Sequence, residues 1–246
     1  MNDKKRRRTV LITGVTGGIG GATALRFAKA GWNVLAHYHS SEGDAKRIKR
    51  SIGRLGGSCE IMKSDLSSRT QLEKFAKRCQ KLDIDALVNC AGTYSVSKHF
   101  SELTAEDMTG TFMVNAFAPF LLSSAVFKRM ANKRFGRIVN ISSIAAKYGG
   151  SAYSMHYGCS KLALEGITRT LAREGAENNI LVNTVRPGVI DTSFHKKFPK
   201  DMAKRIAMIP VKKMGKPEDV AEMIYYLGSE KNNFITNETI TVAGGE

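Results

Sequence analysis

The chain has 246 residues, 42% hydrophobic content, a formal net charge of +16 at pH 7 and four cysteines. This length and composition predict one α/β-sized domain that spans residues 1–246 and buries a substantial core. The cysteines form no CxxC pair and no metal-ligand spacing, so they indicate reduced thiols and argue against a metal site.

The positive charge includes a basic N-terminal tail, residues 1–8, but is otherwise spread along the whole chain. Only Val10–Ile12 follow the tail before polar residues resume, which is too short for a signal-peptide core. No apolar run approaches the length of a membrane span, so we expect a cytoplasmic protein without a membrane partner. The chain has no zinc-finger spacing and no aromatic-rich RNA-binding signature, so solvated helix faces explain the charge better than nucleic-acid binding does.

Short β-branched runs alternate with longer amphipathic runs from one end of the chain to the other. The predicted strands are Thr9–Thr13, Asn33–Tyr38, Glu60–Lys63, Ala86–Asn89, Arg137–Ser142, Leu181–Arg186 and Thr239–Val242. The predicted helices are Ile19–Ala30, Ser41–Arg54, Ser68–Leu82, Glu106–Asn132, Tyr157–Asn178 and Pro217–Leu227. This alternation indicates βαβ units, and therefore an α/β fold with a doubly wound parallel sheet covered by helices on both faces.

One segment, residues 191–210, breaks the alternation because it mixes bulky apolar and basic residues without a sustained period. It follows the sixth predicted strand, and open α/β sheets bind ligands beyond the carboxyl ends of their strands. The segment is therefore predicted to form a lid over the substrate, with a surface loop as the alternative.

A cluster of glycines directly follows the first predicted strand, where Thr9–Gly21 reads TVLITGVTGGIGG. Backbone N–H groups at the start of a helix bind phosphate, and glycines allow the phosphate to approach closely. The spacing, Gly14-xxx-Gly18-x-Gly20, differs from the common G-x-G-x-x-G pattern but serves the same purpose. This turn predicts a dinucleotide site.

Further motifs follow in order along the chain. They are NCAG at Asn89–Gly92, NISS at Asn140–Ser143, YGCSK at Tyr157–Lys161 and RPGVIDT at Arg186–Thr192. Together with TGxxxGIG, this set resembles the short-chain dehydrogenase/reductase family over essentially the whole chain. The resemblance implies a single-domain Rossmann fold with a seven-stranded sheet, and oxidoreductase activity. Cys90 and Ala243 depart from the family pattern, which commonly has asparagine and aspartate at these positions.

Tyr157 and Lys161 have the spacing that places two side chains on one face of a helix. Free tyrosine has a pKa of about 10, and a neighbouring cation favours the phenolate, so Tyr157 can exchange a proton with a carbonyl oxygen. The resemblance implies that Lys161 also holds the nicotinamide ribose and that Ser143 hydrogen-bonds the substrate oxygen. It further implies that Asn115 holds a water molecule that relays protons to Lys161.

Other residues compete for these roles. Tyr94 and Lys98 also form a YxxxK pair, but no serine precedes Tyr94 at the family's spacing, and the segment leaves a strand. We therefore predict a loop there. Between Ser142 and Ser143 we assign the substrate-binding role to Ser143, because its distance along the chain from Tyr157 is close to the family's usual gap.

The cofactor is predicted from the end of the second strand, where an NAD-specific site usually carries an acid that bonds the ribose hydroxyls. Here that strand ends in HYHSS and the first acid is Glu42, which favours NADP(H), with NAD(H) as the alternative. Gly17 stands where many NADP-preferring relatives have a basic residue. The predicted cofactor contacts are Gly14, Thr16, Gly17, Gly18, Ile19, Gly20, Tyr38, His39, Ser40, Ser41, Asp65, Leu66, Asn89, Ala91, Gly92, Tyr157, Lys161, Pro187, Gly188, Ile190 and Thr192.

These features predict an NADPH-dependent carbonyl reductase that acts on a small-molecule or carrier-linked ketone. The chain is most similar to 3-oxoacyl-carrier-protein reductases, in which two arginines dock an acidic carrier. Arg134 matches the first of these positions, whereas Asn178 replaces the second. A sugar, polyol or secondary-metabolite ketone is the alternative substrate. A non-catalytic Rossmann regulator that binds nucleotide or nucleic acid is the alternative from another class.

The resemblance also implies an assembly. Family members usually form tetramers through two long helices, which here are the predicted helices Glu106–Asn132 and Tyr157–Asn178. We therefore expect a homotetramer, with a dimer as the alternative.

Overall fold

The computed structural model describes residues 6–94, 96–193 and 201–246, and its strands form one parallel sheet. The strands are β1 Thr9–Ile12, β2 Asn33–Tyr38, β3 Cys59–Lys63, β4 Ala86–Asn89, β5 Gly136–Ile141, β6 Ile180–Pro187 and β7 Thr239–Val242. They pair in the order β3-β2-β1-β4-β5-β6-β7. The chain runs outward from β1 to β3 and then crosses back, so that β4 lies on the other side of β1. This is the seven-stranded, doubly wound Rossmann topology predicted from the sequence.

Helices cover both faces of this sheet. They are α1 Gly18–Lys29, α2 Glu42–Arg54, α3 Arg69–Cys79, α4 Ala105–Phe112, α5 Ala118–Lys133, α6 Ala145–Tyr148, α7 Met155–Ala176, α8 Met202–Met208 and α9 Pro217–Gly228, with a 3-10 turn at Phe100–Glu102. Most predicted helices begin and end within a few residues of these bounds. The predicted helix Glu106–Asn132 corresponds to one helical run, Ala105–Lys133, in which a π turn at Met113–Phe117 separates α4 from α5. A π turn changes the local number of residues per turn, which a search for apolar residues at α-helical spacing does not detect.

Each central strand buries side chains on both faces of the sheet. In β1, Val10 and Ile12 pack in one core cluster with Phe27 of α1. Leu11, which lies between them, packs on the opposite face with Leu122 of α5. Successive side chains of a strand point to opposite faces, so double coverage explains why these strands are nearly continuous apolar runs.

The described part of the basic N-terminal tail packs against the sheet. Arg6 donates hydrogen bonds to both carboxylate oxygens of the buried Asp85, at 2.7 and 2.9 Å. Lys133 donates to the same carboxylate at 2.8 Å, and the Arg8 guanidinium lies 3.7 Å from the centre of the Phe135 ring. Arg6 and Arg8 therefore have structural roles, while residues 1–5 lie outside the described residues.

The helical run Ala105–Lys133 differs from the expectation that no apolar run approaches the length of a membrane span. It contains a window with a mean hydropathy of 1.5, which is long and apolar enough for a membrane span by length and composition alone. Half of that window is buried inside the protein, and Leu122 and Met130 are buried in the core between the helices and the sheet. Core helices of this kind meet the same criterion, so packing accounts for its apolar character.

The predicted lid, residues 191–210, contains the short helix α8. This helix begins after Asp201, whose side chain accepts a hydrogen bond from the Lys204 N–H at 2.9 Å. Two turns of helix are too short to give a sustained period, which is why the sequence did not indicate α8. The Val211 N–H donates to the Gly244 carbonyl at 3.2 Å and thereby joins the end of the segment to the residues after β7. Residues 194–200 of the predicted lid lie outside the described residues.

Candidate active site

A cleft of about 930 Å³ lies at the carboxyl edge of the sheet. Residues that follow β1 to β6 line it, together with parts of α7 and α8. The carboxyl ends of parallel strands meet at one edge, so residues that are distant in sequence reach the same space. This volume is near the upper end of the usual range for ligand sites, about 300–1,000 Å³.

The cleft brings together most of the predicted site residues. Those that line it are Gly14, Thr16, Gly17, Gly18, Ile19, Gly20, His39, Ser40, Ser41, Asp65, Leu66, Ala91, Gly92, Ser143, Tyr157, Lys161, Pro187, Gly188, Ile190 and Thr192. Tyr38, Asn89 and Asn115 are not among the lining residues, and their exposed fractions are 5%, 2% and 0%.

The turn after β1 has no room for side chains at its key glycines. Gly14 has a φ of +73°, and a Cβ atom at this position would lie 2.8 Å from the Ala91 Cα. A Cβ on Gly18 would lie 2.6 Å from the Thr192 Cγ2. Gly17 precedes α1 and supplies no side-chain cap, which leaves the first N–H groups of the helix available to a ligand. This geometry fits a dinucleotide pyrophosphate.

His37, near the end of β2, lines the cleft but was not among the predicted contacts. Its Nδ1 accepts a hydrogen bond from the Gly14 N–H at 3.3 Å, and its Nε2 donates to the Ser64 carbonyl at 3.0 Å. Burial lowers the pKa of His37 to about 4, so the ring is neutral at neutral pH. The ring therefore links the glycine turn to the residue that follows β3.

The residues after β2 form the part of the cleft that the sequence analysis assigns to the 2′-phosphate. His39, Ser40 and Ser41 are exposed and line this part, and the His39 Nε2 lies 3.7 Å from an Asp65 carboxylate oxygen. The neighbouring Tyr38, the last residue of β2, is buried. Its predicted contact with the cofactor stays a prediction.

Acidic residues at the start of α2 also bear on the cofactor. Asp44 lines the cleft and was not predicted to do so. Its carboxylate forms an ion pair with Arg47 at 3.0 Å, which offsets part of its negative charge. Glu42, the first acid after β2, pairs with Lys46 at 2.7 Å and does not line the cleft.

Asn89 supports the cleft without lining it, and its predicted contact with the cofactor stays a prediction. Its Nδ2 donates to the Asn140 Oδ1 at 2.8 Å and so connects the ends of β4 and β5. The Thr13 hydroxyl oxygen accepts hydrogen bonds from the Cys90 and Ala91 N–H groups, each at 3.0 Å. These bonds hold the backbone after β4 next to the glycine turn.

Ser143, Tyr157 and Lys161 all line the cleft. The Lys161 Nζ donates a hydrogen bond to the Ile141 carbonyl at 2.7 Å and lies 5.8 Å from the centre of the Tyr157 ring. Burial lowers the pKa of Lys161 to about 8. Burial raises the pKa of Tyr157, and a hydrogen bond with Ser143 opposes this shift.

The direction of the Tyr157 shift differs from the sequence prediction. The YxxxK spacing predicts that Lys161 lowers the pKa of Tyr157, but the pKa is raised because the cost of burying a phenolate dominates. The phenol is therefore protonated at neutral pH. This is the form that can donate a proton to a substrate.

Asn115 lies in the π turn between α4 and α5 and is fully buried. Its Nδ2 donates to the Thr93 carbonyl at 2.8 Å and to the Ser160 hydroxyl at 3.0 Å, while its Oδ1 accepts from the Thr93 N–H at 2.8 Å. The side chain thus holds the loop after β4 against α7. Its predicted role in binding a water molecule stays a prediction.

The competing pair Tyr94 and Lys98 lies in a loop, as predicted. The Tyr94 hydroxyl donates to the Tyr153 carbonyl at 2.6 Å, and its ring lies 5.8 Å from the Tyr157 ring centre. Lys98 forms an ion pair with Asp107 at 2.8 Å. Tyr94 therefore lines the cleft, and Lys98 is paired with Asp107 rather than with Tyr94.

Side chains from α8 and from the loop after β5 complete the lining. Met202 and Arg205 of α8 line the cleft, so the described part of the predicted lid borders it. Arg205 forms an ion pair with Glu246. Tyr148, at the end of α6, also contributes to the lining. Within residues 6–94, 96–193 and 201–246, no group of three or more His, Cys, Asp or Glu side chains could hold a metal ion.

Comparison with known proteins shows which family the chain resembles. The family model described as enoyl-(acyl carrier protein) reductase matches residues 14–246. The 3-oxoacyl-[acyl-carrier-protein] reductase FabG of Thermotoga maritima is 35% identical over 97% of each chain. The acetoacetyl-CoA reductase of Shinella zoogloeoides is 34% identical over 97% of this chain and 98% of its own.

A solved structure shares the same fold. It is that of a proposed NAD(P)-dependent gluconate 5-dehydrogenase from Beutenbergia cavernae with bound NADP. Its TM-score is 0.90 at 31% identity, and the match covers 97% of this chain and 96% of that one.

The extent of these matches identifies the class of protein. The chain belongs to the short-chain dehydrogenase/reductase family. It is an oxidoreductase of the NAD(P)-dependent kind that acts on hydroxyl and keto groups.

Proposed function

We propose that this protein is an NADPH-dependent carbonyl reductase that converts a ketone to the corresponding alcohol. The observation that carries the proposal is that Ser143, Tyr157 and Lys161 line the same cleft as the glycine turn. A non-catalytic nucleotide-binding regulator has no use for a serine–tyrosine–lysine set that lines the cleft. The set therefore favours catalysis over regulation.

The proposed mechanism assigns one role to each side chain. A bound nicotinamide cofactor supplies the hydride. Tyr157 donates its phenol proton to the carbonyl oxygen, and Ser143 donates a hydrogen bond to that oxygen as negative charge develops on it. The Lys161 ammonium stabilises the phenolate that remains. We also assign Lys161 to the nicotinamide ribose and Asn115 to the supply of protons.

The proposed cofactor is NADP(H). The glycine turn would hold the pyrophosphate, the residues at positions 65 and 66 would contact the adenine, and those at 187–192 would contact the nicotinamide. Ser40 and Ser41 offer hydroxyls to a 2′-phosphate, and His39 offers a ring nitrogen. The Asp44 carboxylate would repel a 2′-phosphate here, but its ion pair with Arg47 reduces this repulsion. The similar protein from Beutenbergia cavernae with bound NADP supports the choice.

The proposed substrate is a 3-oxoacyl thioester. The similarity to a carrier-protein reductase and to an acetoacetyl-CoA reductase supports this class. The cleft is large enough for a cofactor together with a small acyl group.

Docking of an acidic carrier would require basic side chains outside the cleft. Arg134 ends α5 in an exposed, left-handed conformation, and its guanidinium donates to the Glu177 carbonyl at 2.9 Å. Asn178, the next residue, supplies no charge where related reductases have an arginine. We therefore propose a weak carrier site or a substrate linked to coenzyme A.

A sugar acid or polyol is the second candidate substrate. The structural similarity to a proposed gluconate 5-dehydrogenase favours it. Arg205, which lines the cleft, offers a cation to a carboxylate, although it is paired with Glu246.

We propose a homotetramer in the cytoplasm, with a dimer as the alternative. Phe117, Phe120 and Leu162 are exposed on the helices assigned to subunit contacts. Apolar side chains grouped in this way are typical of an interface. Light scattering should give a multiple of 26.9 kDa, and a monomer mass would contradict the assembly.

The experiment that tests the function is an assay of the purified protein with NADPH. Acetoacetyl thioesters, keto sugar acids and cyclic ketones are compared by kcat/KM. Preferred turnover of the thioesters supports the first candidate, and preferred turnover of the keto acids supports the second. Cofactor binding without turnover of any ketone would favour the regulator.

A further inference from the structure

An ion pair between a buried carboxylate and a partly exposed arginine lies next to the proposed catalytic residues but outside the cleft. Glu165 of α7 has an exposed fraction of 3%. Its Oε1 accepts hydrogen bonds from the Ser142 Oγ at 2.7 Å and from the Arg186 Nε at 3.0 Å. Its Oε2 accepts from the Arg186 Nη2 at 2.6 Å. Glu165 and Arg186 are both absent from the described cleft lining, so neither is placed to touch a substrate.

These three residues connect the elements that carry the proposed catalytic machinery. Ser142 immediately precedes Ser143 after β5, and Arg186 immediately precedes Pro187 in β6. Glu165 lies one helical turn after Lys161 on α7. A single carboxylate therefore joins the ends of two strands to the catalytic helix.

Stability alone is a poor explanation for such a pair. Burial of the Glu165 carboxylate costs desolvation free energy, and apolar side chains of similar shape often replace a buried ion pair without loss. The hydrogen bond of Ser142 is a second reason to assign the pair a role beyond stability. Its hydroxyl is committed to Glu165 rather than to a substrate.

We propose that Glu165 is a positioning residue that holds Ser143 and Lys161 in place through Ser142, Arg186 and α7, and that supplies the buried counter-charge of the Lys161 ammonium. The inference rests on the proposed reductase function, because it assigns a role within that site. It also gives Ser142, the serine that the sequence analysis set aside, a role of its own.

The charged and titratable groups around Lys161 come from several elements. Tyr157 and Glu165 lie on α7, Cys90 follows β4, and Arg186 of β6 faces Glu165. Cys90 and Glu165 both oppose the lowering of the Lys161 pKa by burial. Burial raises the pKa of Cys90 to about 12, so it is a neutral thiol at neutral pH. Glu165 therefore supplies the negative charge among these groups.

The negative charge of Glu165 determines in which direction the pKa values of its neighbours change when that charge is removed. Removal of a negative charge makes every neighbouring group a stronger acid. The coupled pair of Tyr157 and Lys161 should then lose its protons at lower pH. Looser packing around Tyr157 would also lower its pKa, so the test needs a second variant that changes the packing and keeps the charge.

Two substitutions of Glu165 separate charge from shape. Glu165→Gln keeps the shape and removes the charge, whereas Glu165→Asp keeps the charge and shortens the side chain. The readout is the difference absorbance of the Tyr157 phenolate, taken against the same protein with Tyr157→Phe, without cofactor or substrate. The phenolate pKa should fall by about half a unit or more in Glu165→Gln and stay unchanged in Glu165→Asp.

Ser142→Ala tests the positioning role separately. It removes the hydrogen bond to Glu165 and leaves the charge in place. We expect kcat for ketone reduction to fall about tenfold through misplacement of Ser143, with an unchanged NADPH dissociation constant and an unchanged phenolate titration. Glu174→Gln is the matched control, since Glu174 is exposed on the same helix and should alter none of these quantities.

Two results would overturn the inference. One is a folded Glu165→Gln protein whose phenolate titrates as in the unmodified protein, and the other is full kcat in Ser142→Ala. If Glu165→Gln does not fold, the Ser142→Ala result decides the positioning role. A failure of the unmodified protein to reduce any ketone would instead refute the proposed function, and the cofactor-free titration would still test the link between Glu165 and Tyr157.

Discussion

Replacement of Tyr157 by phenylalanine should remove catalysis without removing cofactor binding. The substitution deletes one oxygen atom and keeps the ring that packs 5.8 Å from the Tyr94 ring centre. Ser143 would then be the hydroxyl left beside the carbonyl, and an aliphatic hydroxyl is a much weaker acid than a phenol. A positioned general acid contributes about 10²–10⁴-fold in rate. At 1.36 kcal/mol for each tenfold change, the activation free energy should rise by about 2.7–5.4 kcal/mol.

The assay combines two measurements on the same variant. Loss of NADPH absorbance gives kcat for ketone reduction, and NADPH fluorescence gives the dissociation constant. We expect kcat to fall by about 10²–10⁴-fold and the dissociation constant to stay the same. Tyr153→Phe is the control, since this side chain is 56% exposed and should keep full activity. If Tyr157→Phe retains more than about a tenth of kcat, the phenol is not the proton donor.

The remaining predictions concern the cofactor, the pH profile and the carrier. Gly14→Ala places a Cβ atom 2.8 Å from a backbone atom, at a residue whose φ is +73°, and should weaken NADPH binding as measured by titration. A Cβ atom at Gly53 meets no described atom within 4 Å. Gly53→Ala should therefore raise the free energy of unfolding by about 0.5–1 kcal/mol, as measured by calorimetry. His39→Asp should shift kcat/KM toward NADH by repelling a 2′-phosphate, and an unchanged ratio would contradict the assigned pocket. Because burial lowers the pKa of Lys161 to about 8, the ammonium is lost as pH rises through that value and ketone reduction should decline there; a level rate would show that the charge is not needed. Arg134→Glu, like high salt, should lower kcat/KM for a carrier-linked ketone more than for a free one, and equal responses would remove the carrier role.

Much of the fold was predictable from local sequence. Strands that are buried on both faces consist of short apolar runs, and these runs place β2, β4 and β7 at the predicted bounds. The Tyr157–Lys161 pair was recognisable because a spacing of one helical turn is local information. The glycine turn was recognisable because the Ala91 backbone near Gly14 and the Thr192 side chain near Gly18 leave no room for a side chain, so glycine stands at both positions.

Burial on both faces also limits what the sequence shows at the end of β2. In a sheet covered on one face only, alternation of polar and apolar residues shows which side chains face outward. A doubly covered strand has no such alternation, so the sequence could not show that His37 lines the cleft while Tyr38 does not. Both residues are buried. Their environments differ only through the tertiary contacts of each face.

The remaining differences depend on contacts between residues that are far apart in sequence. The carboxylate of Glu165 meets Arg186 and Ser142 only after α7 has packed on β5 and β6. The pKa shift of Tyr157 likewise depends on burial, which the YxxxK spacing does not encode. The YxxxK spacing shows that Tyr157 and Lys161 are neighbours, whereas the packing around them decides whether the pKa of Tyr157 rises or falls.

The protonation states of the site residues match the roles proposed for them in ketone reduction. The ordinary pKa of tyrosine is about 10, and burial raises that of Tyr157 further, so the side chain is a phenol at pH 7. Ketone reduction uses the abundant phenol as an acid, whereas alcohol oxidation needs the rare phenolate as a base. The depressed pKa of Lys161, about 8, still leaves most of its ammonium charged at pH 7, ready to stabilise the phenolate once the proton has been given up. A donor that is protonated before the reaction and a cation that stabilises its product are the charge states that carbonyl reduction requires.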